Sequence, residues 1–334
     1  GVDRAHHCES VLGFGVVDGM PTGDQAAGRS GHIGATIEHA GQQLEGESLT
    51  RPRHQVEGEH RCAAHGVHVG ERVGCRDAAP VERIIDDRTV ILSFTHQSNL
   101  LGTVNPVADV VAAARRVGAF VFLDACQSVP HMPVSVRTLD VDAIAWSGHK
   151  MLGPTGIGCL WATRELLDAM PPFLTGGSMI ETVAMDRSTF ARAPQKFEAG
   201  VPNIAQAVGL AAAVEYLERI GMHRIAEHEH VLTEAALAAL GEIDGVRVIG
   251  PTENVQRGSA VSFTVRDLHP HDVGQVLDDQ GVAVRVGHHC AWPLCRRFGV
   301  PATTRATFYL YNDLNDVTSL AAAIREAQRF FKVA

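Results

Sequence analysis

The sequence predicts an α/β fold, with a large domain on a mostly parallel, helix-covered sheet and a smaller α+β domain at the C-terminal end. Two observations carry the prediction. Between residues 89 and 147, short apolar runs rich in β-formers alternate with a well-signalled helix, the pattern of a βαβ unit. Beyond residue 203, two long helical stretches lead into a mixed series of strands and helices. A third observation limits the prediction, because the regular pattern begins only near residue 83. The chain thus divides into an atypical segment over 1–82, a partial large domain over 83–205, and linking helices with a small domain over 206–334.

Residues 1–82 hold no lysine, one aromatic residue (Phe14), fourteen glycines and eight histidines, with no sustained apolar period of helix or strand. Such a composition buries too little apolar surface to offset its ordering entropy. It reads as a disordered extension or as the product of a shifted reading frame. The later elements follow in order. "TVILSF" (89–94) is a candidate buried strand. "NPVADVVAAARRVG" (105–118) is a helix, with Asn105 as its cap, Pro106 in its first turn and Gly118 as its stop. Val107, Val110, Val111, Ala114 and Val117 form its apolar face. "AFVFLD" (119–124) and "DAIAWS" (142–147) are two further strands, expected to run parallel to the first. Helices are expected over 203–221, 222–241, 270–280 and 313–331, and strands at "VRVIG", "SAVSFTV", "VAVRV" and "ATFYLY".

Composition excludes several classes. The chain has 334 residues, 45% hydrophobic and 20% charged, as in a soluble globular protein of two domains. A net charge of −9 leaves no basic excess to neutralise nucleic-acid phosphates. No apolar run approaches the ~20 residues of a membrane span. "VLGFGVV" is glycine-broken and lacks the cleavage pattern of a signal peptide. Seven cysteines at irregular spacing read as reduced thiols of the cytoplasm rather than a disulfide framework.

Ligands of parallel sheets gather beyond the carboxyl ends of the strands. Asp124 and Ser147 end predicted strands, and Gln127 and Lys150 follow each of them closely. Lys150, in "WSGHKMLGPTG", is one of three lysines in the chain, with Lys196 and Lys332. A desolvated lysine can attack a carbonyl. An aspartate can pair with a protonated pyridine nitrogen, and Ser147 and His149 offer donors suited to a phosphate.

"FLDACQSVPH" followed by "DAIAWSGHKMLGPTGIGCLW" resembles the core of the class V, fold-type I pyridoxal-phosphate (PLP) enzymes. "RVGHHCAWPL" and "TTRATFYLYN" are similar to the group II, SUF-type cysteine desulfurases. The resemblance runs from about residue 84 to the C-terminus and implies a PLP-transferase-like large domain. It further implies that Lys150 carries the cofactor, Asp124 faces its ring nitrogen, Gln127 its phenolic oxygen, and Ser147 and His149 its phosphate. Asn99 and Arg305 would grip the substrate carboxylate, with Arg285 near the entrance. Cys290 would take sulfur from L-cysteine and pass it to an acceptor protein of iron–sulfur cluster assembly. A cytoplasmic homodimer is implied, with neither nucleic acid nor membrane as partner.

Each residue also has a plainer reading. Asp124 and Gln127 resemble a capping box, Asn99 and Ser147 turn residues, Arg305 a structural ion pair, and Cys290 a small buried hydrophobe. His288 and His289 are adjacent rather than spaced for one face, which argues against zinc, and no metal is expected. The family's phosphate-loop threonine and ring-stacking histidine are not found in residues 1–82, and Val201 stands where the family usually has threonine. The alternatives are therefore another class V enzyme, such as a selenocysteine lyase or an aminotransferase, and an inactive or non-enzymatic remnant.

Overall fold

The computed structural model describes residues 12–17 and 35–37 as strand backbone, and residues 85–253 and 256–333 with their side chains. In chain order the elements are β1 (Leu12–Val17), β2 (Ala35–Ile37), β3 (Ile91–Thr95), α1 (Val107–Val117), β4 (Phe120–Asp124), α2 (Val136–Leu139), β5 (Ala143–Ser147) and β6 (Gly158–Ala162). There follow α3 (Arg164–Ala169), β7 (Ile180–Val183), β8 (Ser188–Phe190), α4 (Ile204–Ile220), α5 (Met222–Gly241), β9 (Val246–Ile249) and β10 (Ala260–Val265). The last are α6 (Pro270–Asp279), β11 (Arg285–Gly287), α7 (Trp292–Phe298), β12 (Thr303–Thr307) and α8 (Leu314–Phe331). β1 and β2 lie within the segment that showed no apolar period; the remainder of residues 1–82 falls outside the described residues.

One unit combines β1 and β2 with Asp142–Tyr216. Four of its strands run in the order β2-β1-β6-β5, and β7 and β8 form a separate antiparallel pair. β1 is parallel to β6 and antiparallel to β2, and β6 is antiparallel to β5. The sheet is mixed for a simple reason. β5 and β6 are joined by residues 148–157 alone, shorter than the dozen or more residues that a parallel crossover needs.

The second unit holds the described residues 85–141 and 217–333. β3 and β4 pair in parallel, from Ile91 opposite Phe120 to Thr95 opposite Asp124, and α1 between them packs on β4. This is the expected βαβ unit. Leu92, Phe94, Val121 and Leu123 alternate as buried residues, and Val110, Val111 and Ala114 of α1 are buried too. Gly118 ends α1 in the left-handed region, as expected. Asn105 does not cap it: the helix starts after Pro106 with no side-chain cap. The Asn105 amide instead donates to the Thr95 carbonyl at 2.6 Å, an acceptor left at the end of β3.

The C-terminal part of this unit is an antiparallel sheet in the order β11-β12-β10-β9. Helices α5, α6 and α8 cover it through a core that includes Leu232, Leu240, Val261, Phe263, Leu277, Leu320 and Ile324. Asp313 caps α8 by accepting from the Asn315 and Asp316 amides, while Asp316 returns a bond to the Asp313 amide. Two strands sit off their expected places. "ATFYLY" is not a strand throughout, because Thr303–Thr307 forms the ladder while Phe308 and Tyr309 leave it and are buried. "VAVRV" contributes only its end, with β11 at Arg285–Gly287. Beneath α5, His131 Nδ1 contacts both Glu229 carboxylate oxygens at 2.9 and 3.1 Å, in a buried pair. Among the described residues, no helix is long and apolar enough to cross a membrane.

The turn after β3 closes with Gly102 at φ 72°, where a Cβ would meet the Ala260 and Gly258 carbonyl oxygens at 2.7 and 2.9 Å. Gly118 has a similar φ of 74° but open space around it. Gly118→Ala therefore suffers backbone strain alone, about 1 kcal/mol. Gly102→Ala adds a collision with backbone and is expected to destabilise by about 3 kcal/mol. Urea unfolding midpoints of the two variants check this order.

Candidate functional site

In the first unit, β5 ends at the buried Ser147, and a 3-10 turn over Gly148–Met151 carries His149 and Lys150 just past the strand end. The loop closes on itself: the Gly148 amide donates to the Ile157 carbonyl at 2.9 Å, and Gly153 to the Gly148 carbonyl at 3.0 Å. Lys150 is half-buried, and its amine has no hydrogen bond or ion pair among the described residues. The other lysines are poor rivals. Lys196 is buried, with Nζ donating to the Asp168 carbonyl at 3.0 Å, and Lys332 is exposed at the end of α8. His149 is held below the usual imidazole range by partial burial first and by the Lys150 charge second.

In the second unit, Asp124 ends β4 as expected. Its Oδ1 accepts from the Cys126 amide at 2.9 Å, and turns rather than a helix follow. That is an Asx turn, so the capping-box reading of Asp124 and Gln127 fails. Gln127 is half-buried on this turn.

The same unit gathers Asn99, Arg285, Cys290 and Arg305. Antiparallel pairing of β11 and β12 sets Arg285 directly opposite Arg305. Arg305 Nη1 donates to the Asn99 carbonyl at 2.7 Å, and its buried Nε has no partner among the described residues. Burial first, and Arg285 second, pull its pKa down to about 10. The Asn99 amide donates to the His289 carbonyl at 2.6 Å. Arg285 Nη2 points at Cys290 Sγ from 4.0 Å, and Cys290 is exposed. Arg305 thus makes no ion pair among the described residues, and Cys290 is no buried hydrophobe.

Two features here escaped the sequence reading. His289 and Cys290 both adopt left-handed backbone, φ 54° and 60°, which costs a residue with a side chain roughly 1–2 kcal/mol. Helix α7 follows, with Pro293 in its first turn and Gly299 at its end, a pair of signals that would have found it. His288 stacks on Trp292 at 3.8 Å between ring centroids. Leu100, Leu101, Ile249, Ala291, Leu294 and Cys295 form one buried cluster, which fastens the Asn99 loop to α7.

The donor set can be tested for chemical fit with PLP. An unpartnered amine at Lys150 suits its aldehyde, a carboxylate at Asp124 its ring nitrogen, and hydroxyl and imidazole at Ser147 and His149 its phosphate. An amide at Gln127 suits its phenolic oxygen. The residue types match group for group.

A family model described as Aminotransferase class-V matches residues 42–320, reaching further toward the N-terminus than the motif resemblance. The chain belongs to the class-V aminotransferase family. Within that family it is 55% identical over 258 residues to a probable cysteine desulfurase of Streptomyces coelicolor, covering 77% of this chain and 62% of that protein. It is 58% identical over 247 residues to a probable cysteine desulfurase 2 of Mycobacterium leprae, covering 74% and 59%. Among solved structures, a cysteine desulfurase of Thermococcus onnurineus matches with a TM-score of 0.71 at 41% identity, over 75% of this chain and 62% of that one. One from Escherichia coli matches with a TM-score of 0.70 at 36% identity, over 74% and 61%. This class-V chain spans about three fifths of the length of the curated relatives it matches. The α/β fold is that of these cysteine desulfurases.

Two buried imidazoles set a pH dependence. His96 and His289 are each pushed from 6.5 down to about 4, with burial as the first cause. Between those values the unfolded chain takes up protons that the folded chain refuses, so stability is complete above pH 6.5 and falls as pH drops toward 4. Urea midpoints across this range should fall steadily, and less steeply in His289→Gln.

Proposed function

We propose that the chain is a PLP-dependent cysteine desulfurase that takes L-cysteine to L-alanine and leaves a persulfide on Cys290. The observation that carries this reading is the exposed Cys290 thiol facing Arg285, beside an Arg305 guanidinium whose buried Nε is unused among the described residues. A class V aminotransferase needs no such thiol. The similarity to cysteine desulfurases over three quarters of the chain supports the same reading.

PLP, when bound, supplies an electrophilic carbon and an electron sink. Lys150 would hold it covalently, Ser147 and His149 would bind its phosphate, and Asp124 and Gln127 would face its ring. Asn99 and Arg305 hold the substrate carboxylate, Arg305 through its fork of donors. Lys150 Nζ then serves as the base that moves the Cα proton. Cys290 Sγ, as thiolate, attacks the substrate sulfur; the substrate C–S bond breaks, its electron pair stays with Cβ, which takes up a proton on the way to L-alanine, and the sulfur stays on Cys290. A sulfur-acceptor protein of iron–sulfur cluster assembly would collect it. The enzyme is read as a cytoplasmic homodimer, with Val201, 86% exposed and without a hydroxyl, as a weakened phosphate contact.

Two variants test the roles. With PLP added to the full chain, Lys150→Ala should lose the visible absorbance and the borohydride-trapped cofactor, since neither Lys196 nor Lys332 is placed to replace it. A variant that still traps the cofactor removes Lys150 from this role. Cys290→Ser should keep the absorbance and lose sulfide and persulfide formation by orders of magnitude, as removal of a nucleophile does. Undiminished sulfide release would point to another class V activity.

A further inference from the structure

His289 and Cys290 are consecutive left-handed residues, and neither is glycine or asparagine. Nothing local favours that backbone, so contacts from outside the loop must hold it. Two do. The His289 ring bonds through Nε2 to the Thr303 carbonyl at 3.1 Å, and the His289 carbonyl accepts from Asn99 at 2.6 Å. Both tethers lead to β12, the first directly and the second through the Asn99 carbonyl to Arg305. β12 is also the strand that pairs with Arg285. A carbonyl can only accept, so Nε2 carries the proton and Nδ1 is left as a lone pair, buried and without a partner among the described residues. His289 is 2% exposed while Cys290 is exposed, so the loop divides into a buried anchor and an outward thiol.

We propose that His289 is a positioning residue, anchored to β12, that holds the Cys290 loop in its left-handed shape and keeps Sγ beside Arg285 and Arg305. The proposal rests on Cys290 being the reactive thiol of the activity proposed above, and it deepens that reading. Asn99 has a double part in it. The residue assigned to the substrate carboxylate also braces the loop that carries the thiol, so the two are set in register by one side chain.

The test is alkylation of Cys290 in the full chain, followed by peptide mapping at low ionic strength. Two reagents of similar size are compared, the anion iodoacetate and the neutral iodoacetamide. A thiol held beside two guanidiniums reacts preferentially with the anion, and wild type should show this relative to a free thiol. His289→Leu removes the Nε2 donor and should lower the preference at least about fivefold. His289→Gln keeps an N–H for the Thr303 carbonyl and should retain most of it, which a merely space-filling role would not require. Cys159 and Cys295, both buried, must stay unreactive in each variant as the measure of an intact fold. If His289→Leu fails that measure, Asn99→Leu severs the second tether and should give the same loss. An unchanged preference in a folded His289→Leu or Asn99→Leu, or no preference in wild type, overturns the proposal. Alkylation needs neither PLP nor L-cysteine, so its result stands apart from the activity assay that tests the desulfurase reading.

Discussion

The carbonyl of Asn99 is the point around which the cluster of Arg305, Arg285 and Cys290 is organised. Arg305 donates to it from β12, while the Asn99 side chain donates onward to the loop of Cys290. These bonds join positions 206 and 190 residues apart in sequence. A guanidinium held below the surface of a sheet needs oxygen partners, because an unanswered buried charge costs several kcal/mol. Leu100 and Leu101, fully buried next to Asn99, fix the loop from the other side. Burial of each contributes roughly 1.5–3 kcal/mol. Apolar burial thus sets where the Asn99 carbonyl stands, and that carbonyl sets where the cation and the thiol loop stand.

Strand ends were legible because they coincide with changes in apolar pattern. β4 and β5 stop at Asp124 and Ser147, the places where "AFVFLD" and "DAIAWS" stop. The errors came where tertiary contacts compete with local ones. Asn105 had the right chemistry for a cap, but the Thr95 carbonyl at the end of β3 took its amide. "ATFYLY" looked like a strand because it is apolar, yet Phe308 and Tyr309 are buried outside the ladder. The candidate site residues were picked out as motifs in order. The tethers of His289 were not legible, since its ring partner is a backbone carbonyl on another strand and its left-handed φ has no sequence signature.

The chain's choice of cation bears on its chemistry. Of 29 lysine and arginine residues only three are lysine. Guanidinium stays protonated and does not condense with aldehydes under ordinary conditions, whereas an amine freed of its proton does. Among the described residues, Lys196 is tied to a carbonyl inside the fold and Lys332 ends the last helix. Scarcity of lysine therefore leaves little competition for the amine at Lys150.

Arg257 is buried and Arg305 half-buried; among the described residues the guanidinium of each donates to carbonyl oxygens, and desolvation pulls both down to about 10. A carbonyl dipole solvates a cation without cancelling its charge. Arg257 is boxed in by the Pro251, Gly258 and Ala260 carbonyls, so its donors are spent on the fold itself. Arg305 keeps one in Nε that is unspent among the described residues. An anion arriving at Arg305 would supply a counter-ion that the described residues do not, and would bind the native state in preference to the unfolded one. Thermal stability should then rise with the concentration of a small carboxylate, so that such an anion would brace the fold that receives it.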